Sequence, residues 1–211
     1  MLPSREEFYR ALVERHGADL QAKFDAASVA VCGLGGLGSN IAVSLARAGV
    51  GKLLLLDFDT VDMSNLNRQQ YFPDQLGMEK SKALSETLHR IAPYCDITAK
   101  TVKLTPENIP DLLAGYPFIC EAFDRADQKA MLVNTVLETL PEAYLVSGSG
   151  MAGLGTPNTI RTRCVMKRFY LCGDEHSNVE DGLGLVSARV AVCAAHEATV
   201  ILRLIAGETE V

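Results

Sequence analysis

The residues able to do chemistry crowd into the stretch from Val29 to Gln69. A short apolar run, Val29-Ala30-Val31-Cys32, feeds Gly33-Leu34-Gly35-Gly36-Leu37-Gly38 and then a helix of small residues. G-x-G-x-x-G in that setting is an anion-binding turn. The glycines allow a tight turn and close backbone approach, and the helix N-terminus aims unpaired N–H groups at a phosphate. The next apolar run, Lys52-Leu53-Leu54-Leu55-Leu56-Asp57-Phe58-Asp59, ends in carboxylates, and an acid at that strand end can accept hydrogen bonds from a ribose. Asp57 and Asp59 stand two apart and share a face if both lie on the strand. That would suit a ribose contact beside a magnesium-facing carboxylate. Then comes Ser64-Asn65-Leu66-Asn67-Arg68-Gln69. Arg68 brings a fixed charge and a planar fork for phosphate oxygens, and Lys80, at the start of the following helix, adds a point charge. A nicotinamide-dependent dehydrogenase would explain the glycine turn, but it needs no such polar cassette behind the second strand.

This combination resembles the ThiF/MoeB adenylyltransferases, relatives of the ubiquitin-activating enzymes, and the resemblance spans roughly residues 21–155. The family uses ATP to activate the C-terminal glycine of a ubiquitin-like sulfur carrier. The resemblance implies that Gly33, Gly35, Gly36 and Gly38 let phosphates approach and that Asp57 binds the ribose. It implies that Asn65 and Arg68 hold the triphosphate, that Lys80 holds the phosphates, and that Asp124 holds magnesium. Asp59, Asn67 and Gln69 fall in the same cofactor-binding cassette. Asp124 follows the apolar run Phe118–Phe123, and Arg125 stands where the family commonly has Asn. In relatives an arginine near the N-terminus of one subunit reaches the ATP of the other. Arg15 or Arg10 is the corresponding candidate here, and spacing does not choose between them. The implied cofactors are ATP and Mg2+, and the implied products are a carrier acyl-adenylate and pyrophosphate. The implied partners are a carrier with a Gly-Gly C-terminus and a second copy of this chain. Short length and the wording of the cassette look most like the compact ThiF-like proteins of thiamine synthesis. A molybdopterin-type or other sulfur carrier, an NAD-dependent oxidoreductase and a nucleotide-binding module without catalysis are the alternatives.

Composition fits a folded enzyme. Of 211 residues, 48% are hydrophobic and 22% charged, enough apolar surface to bury a sizeable core. The net charge of −6 gives no basic surface for nucleic acid. No apolar run approaches the roughly 20 residues that cross a bilayer, and the polar start Met1-Leu2-Pro3-Ser4-Arg5 lacks a signal-peptide core, so a cytoplasmic protein is expected. Six cysteines include no C-x-x-C pair, so no structural zinc is expected. Cys32, Cys120 and Cys193 read as core residues. Cys172, before Gly173-Asp174-Glu175, and Cys164 are the candidates for sulfur transfer. Arg161, Arg163, Lys167 and Arg168 form either a patch for an acidic partner or a solvated edge strand.

The elements that must position these residues alternate between strand and helix, the signature of an α/β, Rossmann-like, doubly wound, mainly parallel sheet with antiparallel C-terminal edge strands. Strands are expected at 28–32, 52–57, 96–104, 118–123 and 144–147, with extended segments over 159–171. Helices are expected over 4–16, 39–48, 80–92, 126–140 and 186–206, and Thr105-Pro106-Glu107 reads as the start of another. Residues 178–184 read as a mobile loop. Gly148–Gly155 reads as a flexible connection or as a floor beneath the carrier's narrow tail. The organisation is an N-terminal helical arm (1–27), an ATP-binding Rossmann-like domain (28–155) and C-terminal strands and helix of the same domain (156–211).

Overall fold

The computed structural model describes residues 2–210. Among these, seven strands make one sheet: β1 (Ser28–Cys32), β2 (Lys52–Asp57), β3 (Asp96–Thr101), β4 (Phe118–Glu121), β5 (Tyr144–Gly148), β6 (Arg161–Met166) and β7 (Phe169–Gly173). Their spatial order is β3-β2-β1-β4-β5-β7-β6. All neighbours are parallel except the β6–β7 pair at the edge. The extended stretch expected over 159–171 is therefore two strands of different kinds. Only β6 runs antiparallel, while β7 continues the parallel set beside β5.

Helices α1 (Arg5–His16), α2 (Ala18–Ala26), α3 (Gly36–Ala48), α4 (Lys80–Ile91), α5 (Ile109–Leu113), α6 (Ala126–Thr139) and α7 (Ser187–Ala206) cover the sheet. The strands read as unbroken apolar runs because both faces are covered. Alternation along each strand sorts its side chains. Val29, Val31, Leu53 and Leu55 join the core containing Ile41, Leu84 and Ile201 from α3, α4 and α7. Ala30, Cys32, Leu54 and Leu56 join Ile109, Leu113, Leu132 and Val136 from α5 and α6 on the other face. Each such buried leucine contributes about 1.5–3 kcal/mol.

Several boundaries differ from the sequence reading. α2 was not expected; Gly17, with φ 89°, ends α1 and starts α2, so one glycine serves as both caps. α3 begins at Gly36 rather than Ser39, taking the last glycines of the turn into its first turn. Thr105-Pro106-Glu107 is a turn and not a helix start. Asn108 accepts the Thr105 N–H (2.9 Å) and donates to the Lys103 carbonyl (3.0 Å), and the helix follows at Ile109. β4 stops at Glu121, two residues before the predicted end.

The order of strands creates the site. From β1 the chain moves outward through β2 and β3, then returns to the other side of β1 for β4 and β5. At such a reversal the loops after two adjacent parallel strands part and leave a crevice at their carboxyl ends. Here those loops are the glycine turn after β1 and the segment Ala122–Arg125 after β4.

Candidate nucleotide site

A cavity of about 510 Å³ opens at that point. Gly33, Gly35, Gly36, Asp57, Asp59, Asn65, Arg68, Gln69, Lys80 and Asp124 line it, so ten of the predicted site residues converge. The turn depends on missing side chains at two places. Gly33 has φ 89°, and a Cβ there would stand 2.9 Å from the Ala122 carbonyl oxygen of the neighbouring loop. A Cβ on Gly38 would lie 1.8 Å from the Gly33 carbonyl oxygen. Gly38 therefore does not line the cavity; it lets α3 close against the turn. No side chain caps the start of α3, which leaves its first N–H groups for an anion.

Asp57 is buried, and its two oxygens accept the Leu34 N–H (2.6 Å) and the Asp59 N–H (2.8 Å). Burial raises its pKa, against the pull of those N–H groups and of Lys80. A carboxylate oxygen keeps a second lone pair, so Asp57 braces the turn and still faces the cavity. Asp59 lies beyond the end of β2, so strand alternation does not place its side chain. It is exposed, and it accepts the Lys80 ammonium at 3.0 Å. The strand alternation expected to place Asp57 and Asp59 on one face therefore does not operate, although both residues line the cavity. Asp59 is the partner of Lys80, which is buried as the first residue of α4.

The cassette after β2 forms a short 3₁₀ turn over Met63–Asn65. Its start is capped reciprocally: the Asp62 carboxylate takes the Ser64 N–H (2.9 Å), and Asn65 Oδ1 takes the Asp62 N–H (3.1 Å). Half-buried Arg68 donates from Nη1 to the Ser64 carbonyl (3.0 Å) and to Asn67 Oδ1 (2.8 Å). Asn67 is exposed, is not among the residues lining the cavity, and donates at 3.0 Å to the carbonyl of Leu185, which is. Gln69 is buried with its Oε1 unpartnered, an acceptor that awaits a donor in the cavity. An anion seat and a guanidinium whose Nε and Nη2 make no hydrogen bond among the described residues fit a polyphosphate, and the Gln69 amide oxygen fits a donor such as a ribose hydroxyl or a base amine.

Asp124 is exposed at the cavity edge and makes no hydrogen bond or ion pair among the described residues. Magnesium is commonly held by one or two carboxylates together with substrate phosphates, so a single free carboxylate beside the phosphate seat fits it. Among the described residues there is no cluster of three or more potential metal ligands. Asp124 does not end the strand; Glu121 does. Fully buried Glu121 takes the Phe123 N–H (2.7 Å), the Lys129 ammonium (2.8 Å) and the Ser147 hydroxyl (2.5 Å), and so shapes the Asp124 loop. Its signal in the sequence was an acid within an apolar run. Arg125 is committed to Asp127 at 2.8 Å.

Sequence reasoning also missed Phe58, an exposed ring lining the cavity with Val102, Leu104 and Lys103, whose Nζ is 5.9 Å from the ring centroid. An exposed aromatic face among aliphatics suits a flat base. Arg15 and Arg10 are exposed on α1 and do not line the cavity of their own chain. α1 and α2 sit at the amino ends of the strands: the Tyr94 hydroxyl donates to the Pro3 carbonyl (2.6 Å) and the Gly51 N–H to Phe24 (2.9 Å). Cys172 is buried in β7, and burial pushes its thiol up to about 12, with Glu197 adding to the shift. That overturns the expectation of an exposed nucleophile there. Cys164 is exposed on β6. Within the basic group on β6 and its turn, Arg163 is paired with Glu175 (2.7 Å) and Arg168 with Glu142 (2.9 Å).

The sequence pattern of the ThiF family matches residues 9–211, nearly the whole chain. The chain belongs to the ThiF family. Curated relatives include the tRNA threonylcarbamoyladenosine dehydratase of Escherichia coli, 36% identical over 146 residues, which are 68% of this chain and 54% of that protein. The molybdopterin-synthase adenylyltransferase of Salmonella typhimurium is 37% identical over 151 residues, 68% of this chain and 60% of that one. The chain thus aligns with little more than half the length of these ThiF relatives. Among solved structures, E. coli tRNA N6-threonylcarbamoyladenosine dehydratase in complex with AMP superposes with a TM-score of 0.87 over 98% of both chains at 22% identity, a likeness of fold. None of the helices in residues 2–210 is long and apolar enough to cross a membrane.

Proposed function

We propose that the chain is an ATP-dependent adenylyltransferase. Its substrate in this reading is the C-terminal glycine carboxylate of a ubiquitin-like, thiamine-type sulfur carrier, and its products are the carrier acyl-adenylate and pyrophosphate. The observation that carries the reading is the convergence of the glycine turn, Arg68, Lys80 and the unpaired Asp124 on one cavity, with no histidine in its lining. A carboxylate nucleophile is already ionised at neutral pH, so attack on the α-phosphate needs no general base. It needs alignment and charge neutralisation. The turn's N–H groups and Arg68 supply fixed donors, and Lys80 is held in place by Asp59. Magnesium, when bound, would neutralise phosphate charge, with Asp124 as its protein ligand. The adenylyltransferases among the relatives support the reaction class. The choice of a thiamine-type carrier rests on the wording of the 64–71 cassette, which resembles that of the compact ThiF-like proteins of thiamine synthesis.

The reading includes a homodimer. Arg15 and Arg10 stand at the far end of the strands from their own cavity, so either can serve only the site of a second copy, which closed twofold symmetry would allow.

Incubating the protein with ATP, labelled pyrophosphate and Gly-Gly-ended carriers of the thiamine and molybdopterin types tests the proposal. Carrier-dependent exchange of label into ATP is expected. ATP binding without exchange would make the chain a binding module. Exchange driven by tRNA alone would move it toward the dehydratase relative, against the −6 net charge.

A further inference from the structure

On its phosphate side the cavity lining turns apolar, with Met151, Leu185 and Val190. Val190 Cγ1 stands 3.0 Å from where a Cβ on Gly36 would lie, so this wall abuts the phosphate seat. Met151 and Leu185 come from two irregular segments, 149–159 and 174–186. Backbone bonds join them near their starts, from the Asp174 N–H to the Gly150 carbonyl (2.9 Å) and from the Glu175 N–H to the Ser149 carbonyl (3.0 Å), and one buried side chain gathers the rest of 152–159 onto Asp174.

Arg189, in the first turn of α7, is 5% exposed. A guanidinium has five N–H donors, and all five are used. Nε donates to the Ala152 carbonyl (3.1 Å), and Nη1 to the carbonyls of Gly155 and Thr156 (2.9 Å each). Nη2 donates to Thr159 Oγ1 (3.2 Å) and to Asp174 Oδ2 (2.5 Å). Asp174 uses its other oxygen to take the N–H groups of His176 (2.9 Å) and Ser177 (2.8 Å). Across the two segments the Gly153 N–H donates to the Gly184 carbonyl (2.9 Å) and the Ala152 N–H to Ser177 Oγ (3.0 Å). Burying an arginine is costly unless it is paired and fully bonded. With no donor left over, Arg189 has none to give a phosphate.

We propose that Arg189, with Asp174, is a positioning residue for the acyl substrate: it fixes the Met151–Leu185 wall along which the chain bearing the carboxylate reaches the α-phosphate. This rests on the adenylyl-transfer reading. The nucleotide seat is built mainly from other elements, the glycine turn, the 62–69 cassette and α4. Arg189 and Asp174 bond none of these, and the wall meets the cassette through the Asn67–Leu185 bond, so loosening the 152–159 and 174 ties should impair the second substrate and spare ATP.

The test is steady-state exchange with the thiamine- and molybdopterin-type carriers, alongside calorimetric ATP binding, for Arg189→Lys, Asp174→Asn and Thr159→Val. Arg189→Lys and Asp174→Asn are expected to raise the carrier KM about tenfold or more while the ATP Kd stays within about twofold. Thr159→Val, which deletes one acceptor, should shift the carrier KM in the same direction by less. Should Arg189→Lys fail to fold, the other two variants decide by the same criterion. A carrier KM unchanged in folded variants, or an equal loss of ATP affinity, overturns the inference and leaves the function standing. A wild-type protein that adenylylates neither carrier removes the functional reading and this inference together.

Discussion

Replacing Arg68 by alanine should weaken ATP binding about 150-fold, and the size follows from how little of the side chain is already engaged. Its Nη1 is occupied by Ser64 and Asn67, but Nε and Nη2 make no hydrogen bond among the described residues, and no carboxylate lies within ion-pair range. Two charge-assisted hydrogen bonds to phosphate contribute about 1.5–3 kcal/mol each. The guanidinium is half-exposed, so screening favours the lower end, a total of about 3 kcal/mol, which is the stated 150-fold in Kd. Arg68→Lys keeps the charge but loses the fork and should cost about tenfold. Because the side chain fills no core position, the alanine variant should lose no more than about 1 kcal/mol of stability. Calorimetric titration with ATP, and the ATP KM in pyrophosphate exchange, measure the effect. An ATP Kd within about threefold of wild type would refute the assignment of Arg68 to the phosphates.

Asp124→Asn should abolish exchange with the fold intact, since the amide loses the charge that attracts a divalent cation; wild-type rates, or an unchanged Mg2+ dependence, would remove Asp124 from the site. Mixing equal amounts of an Arg10→Ala/Arg15→Ala protein and an Asp124→Asn protein, each inactive alone, should restore up to about a quarter of the activity if sites are shared between subunits, since half of the dimers are mixed and each carries one intact site. A monomer by light scattering, or no recovery despite proven subunit exchange, would contradict the shared site. For Asp174, burial opposes ionisation, but the N–H groups of Ser177 and His176, the Ser177 hydroxyl and Arg189 outweigh it and hold the carboxyl down to about 2, against an ordinary 3.8. The folded state then binds fewer protons than the unfolded chain, so about 2 kcal/mol of stability is present above pH ~4 and is lost as pH falls toward ~2. Urea melts should show a steeper acid limb in wild type than in Asp174→Asn over that window, and parallel limbs would rule the contribution out.

Much of the nucleotide side of the site was legible because its signals are local. The glycine turn, the acid ending β2 and the polar cassette each sit within a few residues, where spacing determines geometry. The sheet followed from runs such as Val29–Cys32 and Leu53–Leu56, long enough to declare strands covered on both faces. What escaped the sequence depends on partners far along the chain. Nothing near Asp59 announces that Lys80 will take its charge, and nothing near Asn67 points to Leu185, 118 residues away. Cys172 looked exposed because Gly173-Asp174-Glu175 is polar, yet β7 lies inside the sheet with β6 outside it. Gly38 was read as a phosphate contact, although the same missing Cβ serves the packing of α3 on Gly33. Arg189 carried no signal at all, since its acceptors are mostly backbone carbonyls.

The central claim is adenylyl transfer to a carrier's terminal carboxylate, and intact-protein mass spectrometry tests it most directly. After incubation with ATP, Mg2+ and a thiamine-type carrier, the carrier should gain the mass of one AMP group at its C-terminal glycine. Hydroxylamine should convert that adduct to the glycyl hydroxamate with release of AMP. A carrier that stays unmodified while the protein binds ATP, together with the same result for a molybdopterin-type carrier, would contradict the account.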